Sequence, residues 1–290
     1  MEQNIISKIQ DSFMNFSKAQ KIIAEYIVNN YDKAAFMTAA AIGNRLNVSE
    51  STVVRFANAL GYKGYKDLQR DLQELIRNKL TTVQRISLSD ELNTNSDFID
   101  KIMAKDIDNM KKTILEINEF NFNLAVNTLI EADNIYLLGL RSSSFLAGYL
   151  NFYLNFIFDN TKLVQPSAND IFEQLAKIKS DDVLVCITYP RYSKRTLDAL
   201  DYVRTKGCKI VTFTDSNLSP AYTKSDISLI AKSEMLSFVD SLVSPMSLLN
   251  AFILAIATKK RDDITPFFEE LEFIWEKYGT YNESNTSNIK

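Results

Sequence analysis

Between Thr38 and Leu60 the apolar positions fall into two short stripes, Ile42, Leu46 and Val48 first, then Val53, Phe56, Ala57 and Leu60, and the stripes lose phase at Asn47. Helical spacing interrupted at a residue that tolerates left-handed backbone predicts two short helices crossed through a tight turn. Gly43 puts the smallest residue at the crossing, Ser49 is placed to cap the second helix and Gly61 to stop it. Ser51, Thr52, Arg55 and Asn58 then face outward. The N-terminal half of such a helix is what helix-turn-helix proteins present to base edges, and a helical hairpin in a core is the bland alternative. Gly61-Tyr62-Lys63-Gly64-Tyr65-Lys66 follows at once, two lysines alternating with two tyrosines. That pattern suits contact with phosphate and sugar. Thr38, Ser49, Ser51, Thr52, Arg55, Asn58, Lys63, Tyr65 and Lys66 are therefore the candidate DNA contacts, with double-stranded operator DNA as the partner. Ahead of them, Ile5 to Phe16 and Ala19 to Val28 read as amphipathic helices, with Ser17 as a cap between them.

Asp67 to Leu80 continues as a polar helix, and Thr81 to Ser96 loses periodicity while gaining Ser, Thr, Asn and Asp, which marks a linker over 81–96 between a first domain, 1–80, and a second, 97–278. From Asp97 to Ile117 helical spacing returns. Short apolar runs then alternate with helical stretches: Asn134 to Gly139, Thr161 to Gln165, Asp182 to Thr188, Lys209 to Thr214 and Ile227 to Ala231. Continuous apolar strands separated by helices imply a five-stranded parallel sheet covered on both faces, whose ligands sit beyond the carboxyl ends of the strands. The fold class is an all-α first domain followed by an α/β second domain. Thr265-Pro266 opens a last amphipathic helix, and the polar stretch 279–290 reads as a disordered tail.

Two of the strands run into loops with clustered hydroxyls that open a helix, Arg141-Ser142-Ser143-Ser144 and Thr188-Tyr189-Pro190-Arg191-Tyr192-Ser193. Backbone N–H groups at a helix start, joined by hydroxyls, bind phosphate and sugar oxygens, and a guanidinium grips an anion with two parallel hydrogen bonds. Arg141, Ser142, Ser143, Ser144, Thr188, Tyr189, Arg191 and Ser193 are the candidate contacts to a small anionic effector, and helix capping is the structural alternative.

Charge is polarised along the chain. Residues 1–80 carry 11 Lys+Arg against 8 Asp+Glu, and the remaining 210 carry 22 against 28. So modest an excess in the first domain makes a dimer on a two-fold operator the natural binding form. Composition is 46% apolar in 290 residues, enough for two cores. No apolar run reaches a membrane span and the start lacks the basic-then-apolar order of a signal peptide, so a cytoplasmic protein without a membrane partner is expected. Cys186 and Cys208 lack close Cys or His partners and read as reduced structural thiols. No metal and no cofactor is expected.

The first 80 residues, with VSESTVVRFANALGYKGYKDL, resemble the helix-turn-helix domain of the RpiR/MurR family of bacterial transcriptional regulators, and residues from about 130 to 260 resemble its sugar isomerase (SIS) domain. Asp215 to Ala221 resembles the family's segment after the fourth strand, and Ser237 to Ala257 its long closing helix. The resemblance implies a homo-oligomeric repressor or activator, dimer or tetramer, of carbohydrate genes, whose SIS domain senses a phosphorylated sugar. Two departures stand out: Arg141 and Arg191 occupy loop positions where SIS domains commonly place glycine, which permits close backbone approach to phosphate. SIS folds also occur in sugar-phosphate isomerases. The chain has no histidine, the usual base or acid for such chemistry near neutral pH, which leaves Glu173 and Glu234 as substitute bases, and a non-enzymatic role is expected.

Overall fold

The computed structural model describes residues 5–79, Thr82, Ile86, 97–234 and 237–281. Most of the expected linker, and the tail beyond Tyr281, lie outside them. The chain divides into two compact units, Met1–Leu88 and Ser89–Lys290.

The first unit is all helix: α1 (Ile5–Ser12), α2 (Lys18–Asn29), α3 (Tyr31–Ala34), α4 (Ala39–Leu46), α5 (Glu50–Ala59) and α6 (Tyr65–Lys79). The expected single helix from Ile5 to Phe16 instead ends at Ser12 and tightens into a 3-10 turn over Phe13–Asn15. Ser17 caps α2 in a reciprocal box with Gln20. Ile23, Ile42, Val53, Phe56, Leu68 and Leu72 are fully buried, so α2, α4, α5 and α6 close around one core. Burying each such side chain stabilises by about 1.5–3 kcal/mol before chain entropy is set against it.

The second unit opens with α7 (Phe98–Glu116) and α8 (Glu119–Ile130), the latter not anticipated, and then builds a sheet of β1 (Ile135–Gly139), β2 (Thr161–Val164), β3 (Val183–Ile187), β4 (Lys209–Thr214) and β5 (Ile227–Ile230). All four pairings are parallel and the order is β2-β1-β3-β4-β5. Successive strand residues alternate between two cores: Leu137, Val185 and Phe213 lie on the face covered by α8, α9 (Ser143–Leu154) and α12 (Val243–Lys259). Leu138, Leu184 and Ile210 lie on the face covered by α10 (Ile171–Leu175) and α11 (Lys194–Arg204). The strand order reverses direction between β1 and β3, the switch point at which open sheets of this kind hold ligands.

Two helix boundaries differ from expectation. Residues 237–242 do not join the closing helix, which starts at Val243 with Leu242 before it. The last helix, α13 (Arg261–Tyr278), starts four residues before Thr265 and carries Pro266 inside it. With only five helical residues ahead of it, Pro266 deletes a single early backbone bond. Phe268 of α13 packs on Phe156, ring centroids 5.8 Å apart.

Candidate functional site

The α4–α5 turn is built by four local devices. Thr38 accepts from the Ala41 amide and Ser49 from the Thr52 amide, so both helices are capped at their starts. Asn47 takes the left-handed conformation (φ 56°, ψ 42°) that a sharp change of direction demands. A Cβ on Gly43 would lie 2.8 Å from the Val48 carbonyl oxygen, so only glycine lets the turn fold back on α4. At the end of α5, Tyr62 N–H donates to the Ala57 carbonyl and Gly61 N–H to that of Asn58, with Gly61 at φ 88°: a left-handed glycine stop.

These devices leave Ser51, Arg55, Asn58, Lys63 and Lys66 exposed and Thr52 half-buried. Arg55 folds back along its own helix, Nε donating to the Ser51 carbonyl at 3.3 Å. Ser49 shares its hydroxyl with both Ser51 and Thr52. Tyr65 departs from expectation. Its ring is buried and its hydroxyl donates to the Ala34 carbonyl at 3.0 Å, so it anchors α6 to α3 instead of standing at the surface. Alternation with lysine implied a solvent-facing tyrosine, but Tyr65 begins a helix, where spacing of three and four with Leu68 and Leu72 decides burial.

In the second unit, the β1 loop leads to α9 and the β3 loop to α11, on either side of the switch point. Gly139 ends β1, and a Cβ there would stand 2.4 Å from the Ser143 carbonyl oxygen and 2.9 Å from Ala147 Cβ; α9 begins directly on top of the strand end. Arg141 (φ 59°) and Arg191 (φ 62°) both adopt the left-handed backbone. The glycine-like loop geometry is therefore kept at both departures, at the cost of strain, and an exposed arginine side chain is added to each loop.

The hydroxyls differ in use. Ser142 donates to Asp240, and Ser144 donates to the Arg141 carbonyl at 2.6 Å, closing the loop on itself. Ser143 is buried in the first turn of α9. Ser193 stands at the start of α11 without capping it. Thr188 is buried, its amide donating to the Phe213 carbonyl at 3.0 Å. Tyr189 is not brought to the loop surface: it packs in the core, its hydroxyl finds no hydrogen-bond partner, and burial pushes its phenol well above the usual range. Pro190 and Arg191 follow a strand end, so the ring continues the strand's inward face.

Asp215, at the end of β4, escaped notice as a chemical group. Its carboxyl is buried beside Thr214 and accepts from the Tyr192 hydroxyl at 2.7 Å, so the β3 loop is pinned to β4. Burial raises its pKa above 3.8, against the Tyr192 bond and the nearby Lys232 charge. A carboxylate directly following an apolar strand was the available signal. Lys232 Nζ reaches the Asp215 carbonyl at 3.3 Å and pairs with Glu116 at 2.7 Å.

Comparison with known proteins matches residues 3–79 to the helix-turn-helix domain of the rpiR family and residues 128–255 to the SIS domain. The chain belongs to the RpiR family. Members are helix-turn-helix transcriptional regulators with a C-terminal SIS domain, and that combination spans most of the chain. The regulator HexR of Pseudomonas aeruginosa is 22% identical over 275 residues, covering 93% of this chain and 95% of its own. HexR of Escherichia coli is 24% identical over 217 residues, 73% of each chain. Among solved structures, NanR of Vibrio vulnificus, complexed with ManNAc-6P, has a TM-score of 0.56 at 20% identity over 93% of this chain and 99% of its own. The sugar isomerase domain of an RpiR transcription factor from Sphaerobacter thermophilus has a TM-score of 0.58 at 21% identity, over 61% of this chain and 99% of its own. These likenesses agree with an SIS fold.

Both free thiols are buried, Cys186 and Cys208 each pushed up to about 12 by burial, as structural thiols should be. Among the described residues no helix is long and apolar enough to cross a membrane, and no cluster of His, Cys, Asp and Glu is placed to hold a metal.

Proposed function

We propose that this RpiR-family regulator binds double-stranded operator DNA as a homodimer through Ser51, Thr52, Arg55, Asn58, Lys63 and Lys66, and that a phosphorylated sugar or sugar acid held by the β1 and β3 loops controls that binding in the cytoplasm. The observation that carries the effector site is the pair of left-handed arginines at two helix starts flanking the switch point. Backbone strain of this kind persists where the surroundings demand it, and here it preserves a loop shape that phosphate needs while adding charge. The complex of NanR with ManNAc-6P, a protein of like fold, supports a sugar phosphate as the class of effector. Ser142, Ser143, Ser193 and Thr188 supply neutral donors and acceptors, and Arg141 and Arg191 the charge.

Regulation without catalysis is favoured by what the two substitute bases are doing. Glu173 accepts from the Asp170 amide at 3.0 Å, completing a helix cap, and Glu234 pairs with Lys105 and Lys112. Both carboxylates thus already serve a structural contact. A thermal-shift screen of sugar phosphates, amino-sugar phosphates and sugar acids finds the effector, since a ligand at 100 times its dissociation constant stabilises by about 2.7 kcal/mol. Ser143→Ala and Ser193→Ala should each weaken that ligand about 10-fold or more, because a hydrogen bond to a charged group contributes about 1.5–3 kcal/mol. An unshifted midpoint in both variants would place the effector elsewhere, and turnover of a sugar phosphate by the chain would restore the isomerase reading.

A further inference from the structure

One anion already sits at the β1 loop. Ser142, directly ahead of α9, makes no cap with its own helix, and its hydroxyl donates to the carboxylate of Asp240, 98 residues further along. A helix start stabilises negative charge through its free N–H groups and its dipole, so a carboxylate there uses the same attraction that would hold a phosphate. The segment that supplies Asp240 is fastened at its other groups to α7. Ser241, next to Asp240, donates to Asp106, and Ser233 Oγ donates back to the Ser241 carbonyl at 2.8 Å. Asn109, fully buried, exchanges two hydrogen bonds with the Glu234 backbone, at 2.9 and 3.2 Å. The Lys232 amide donates to Thr113 Oγ1 at 2.8 Å, and Lys105 and Lys112 hold the Glu234 carboxylate.

We propose that Asp240 is a built-in competitor for the effector's anionic group, and that displacing it from Ser142 loosens the 237–242 strap from α7. The proposal rests on the effector site lying at the β1 and β3 loops, as argued above. A phosphate brings more charge and more acceptor oxygens than one carboxylate, so it wins the seat when present. Asp240 then has no partner at α9, and the neighbouring Ser241–Asp106 contact bears the movement. Effector occupancy is thereby reported at α7, the first described helix of the second unit. Asp240 also sets the concentration at which the site fills, since apparent affinity falls by the fraction of chains in which the seat is open.

Inorganic phosphate is the probe, titrated into the full-length protein and followed by broadening of its phosphorus resonance. Asp240→Asn keeps the size of the side chain and removes its charge. It should bind phosphate about 10-fold more tightly than the parent, the equivalent of about 1.4 kcal/mol of contact removed. Equal or weaker binding by Asp240→Asn, with phosphate binding still lost in the Ser143→Ala, Ser193→Ala double variant, would overturn the competitor and leave the site standing. Phosphate binding that the double variant does not weaken would instead overturn the site. Amide exchange on the unmutated protein gives a check that needs no variant. Phosphate should speed exchange across 237–242, whereas slowed exchange there would mean that the segment clamps the anion, and would sink the proposal.

Discussion

Replacing Gly139 by alanine perturbs the second unit at the point where the sheet meets the β1 loop, one of the two proposed to hold the effector. The added Cβ would stand 2.4 Å from the Ser143 carbonyl oxygen, whereas ordinary contact begins at 3.4 Å, so the start of α9 must retreat by about 1 Å. Ala147 Cβ, at 2.9 Å, blocks relief by tilting about the first turn. Both obstacles belong to one helix and neither is the end of a flexible side chain. Overpacking of this kind costs about 1–3 kcal/mol, from which alanine's smaller unfolded-state entropy returns about 0.4–1 kcal/mol. For a unit of this size a net loss of about 1–2 kcal/mol lowers the melting temperature by about 2–8 °C. The assay is a thermal scan of the full chain with separate probes for the two units. The transition of the second unit should fall, that of the first should stay, and phosphate binding should weaken because Ser143 and the α9 amides move together. An unchanged second transition with unchanged phosphate affinity would refute the claim that Gly139 sets the seat of α9.

Asn47→Val places a β-branched residue at φ 56° and should destabilise the first unit by about 1–2 kcal/mol in a denaturant titration, while Asn47→Gly should be close to neutral. Arg55→Ala should weaken specific operator binding by about 1–3 kcal/mol if it reads a base, or lower the salt slope by about one if it meets a phosphate. Unchanged affinity and slope in an anisotropy titration would remove it from the interface. Asp215 gives a pH signature: because its native pKa is raised above 3.8, the native state holds the proton longer than the unfolded state, and stability declines as pH climbs from about 4 through the native pKa. Asp215→Asn, which can still accept from Tyr192, should lose that decline, so its stability relative to the parent should rise over this window and then level. Parallel unfolding curves across pH would show that Asp215 is not held in the way its burial implies.

Much of this was legible in the sequence for a physical reason. The left-handed turn at Asn47, the cap at Ser49 and the stop at Gly61 are local devices, set by residues within one or two helical turns of one another, and sequence displays such devices directly. The inner strands β1, β3 and β4 were visible because burial on both faces makes each a largely apolar run, whereas the edge strand β2, with Thr161 and Lys162, is mostly unburied and rests on its place in the alternation. What escaped depends on distant partners. Tyr65 turns inward with Leu68 and Leu72, and the carbonyl that accepts its buried hydroxyl lies 31 residues away. Asp215 is defined by Tyr192, and Ser142 by Asp240, across gaps of 23 and 98 residues. The left-handed backbone at Arg141 and Arg191 was not legible either, because it is set by the fold around a residue as well as by its type.

Purified full-length protein titrated onto fluorescent double-stranded DNA from upstream of its own gene, across a range of salt, with and without the sugar phosphate found by thermal shift, tests most directly whether a small anion in one domain governs DNA binding by the other. Saturable binding is expected, tighter than to scrambled DNA of the same length and weakening linearly with the logarithm of salt concentration. The effector should move the midpoint by a factor of about 5–150, and the Ser143→Ala variant should need more effector to reach the same response. Binding with no preference over scrambled DNA, or a midpoint that no stabilising ligand moves, would contradict an effector-controlled regulator.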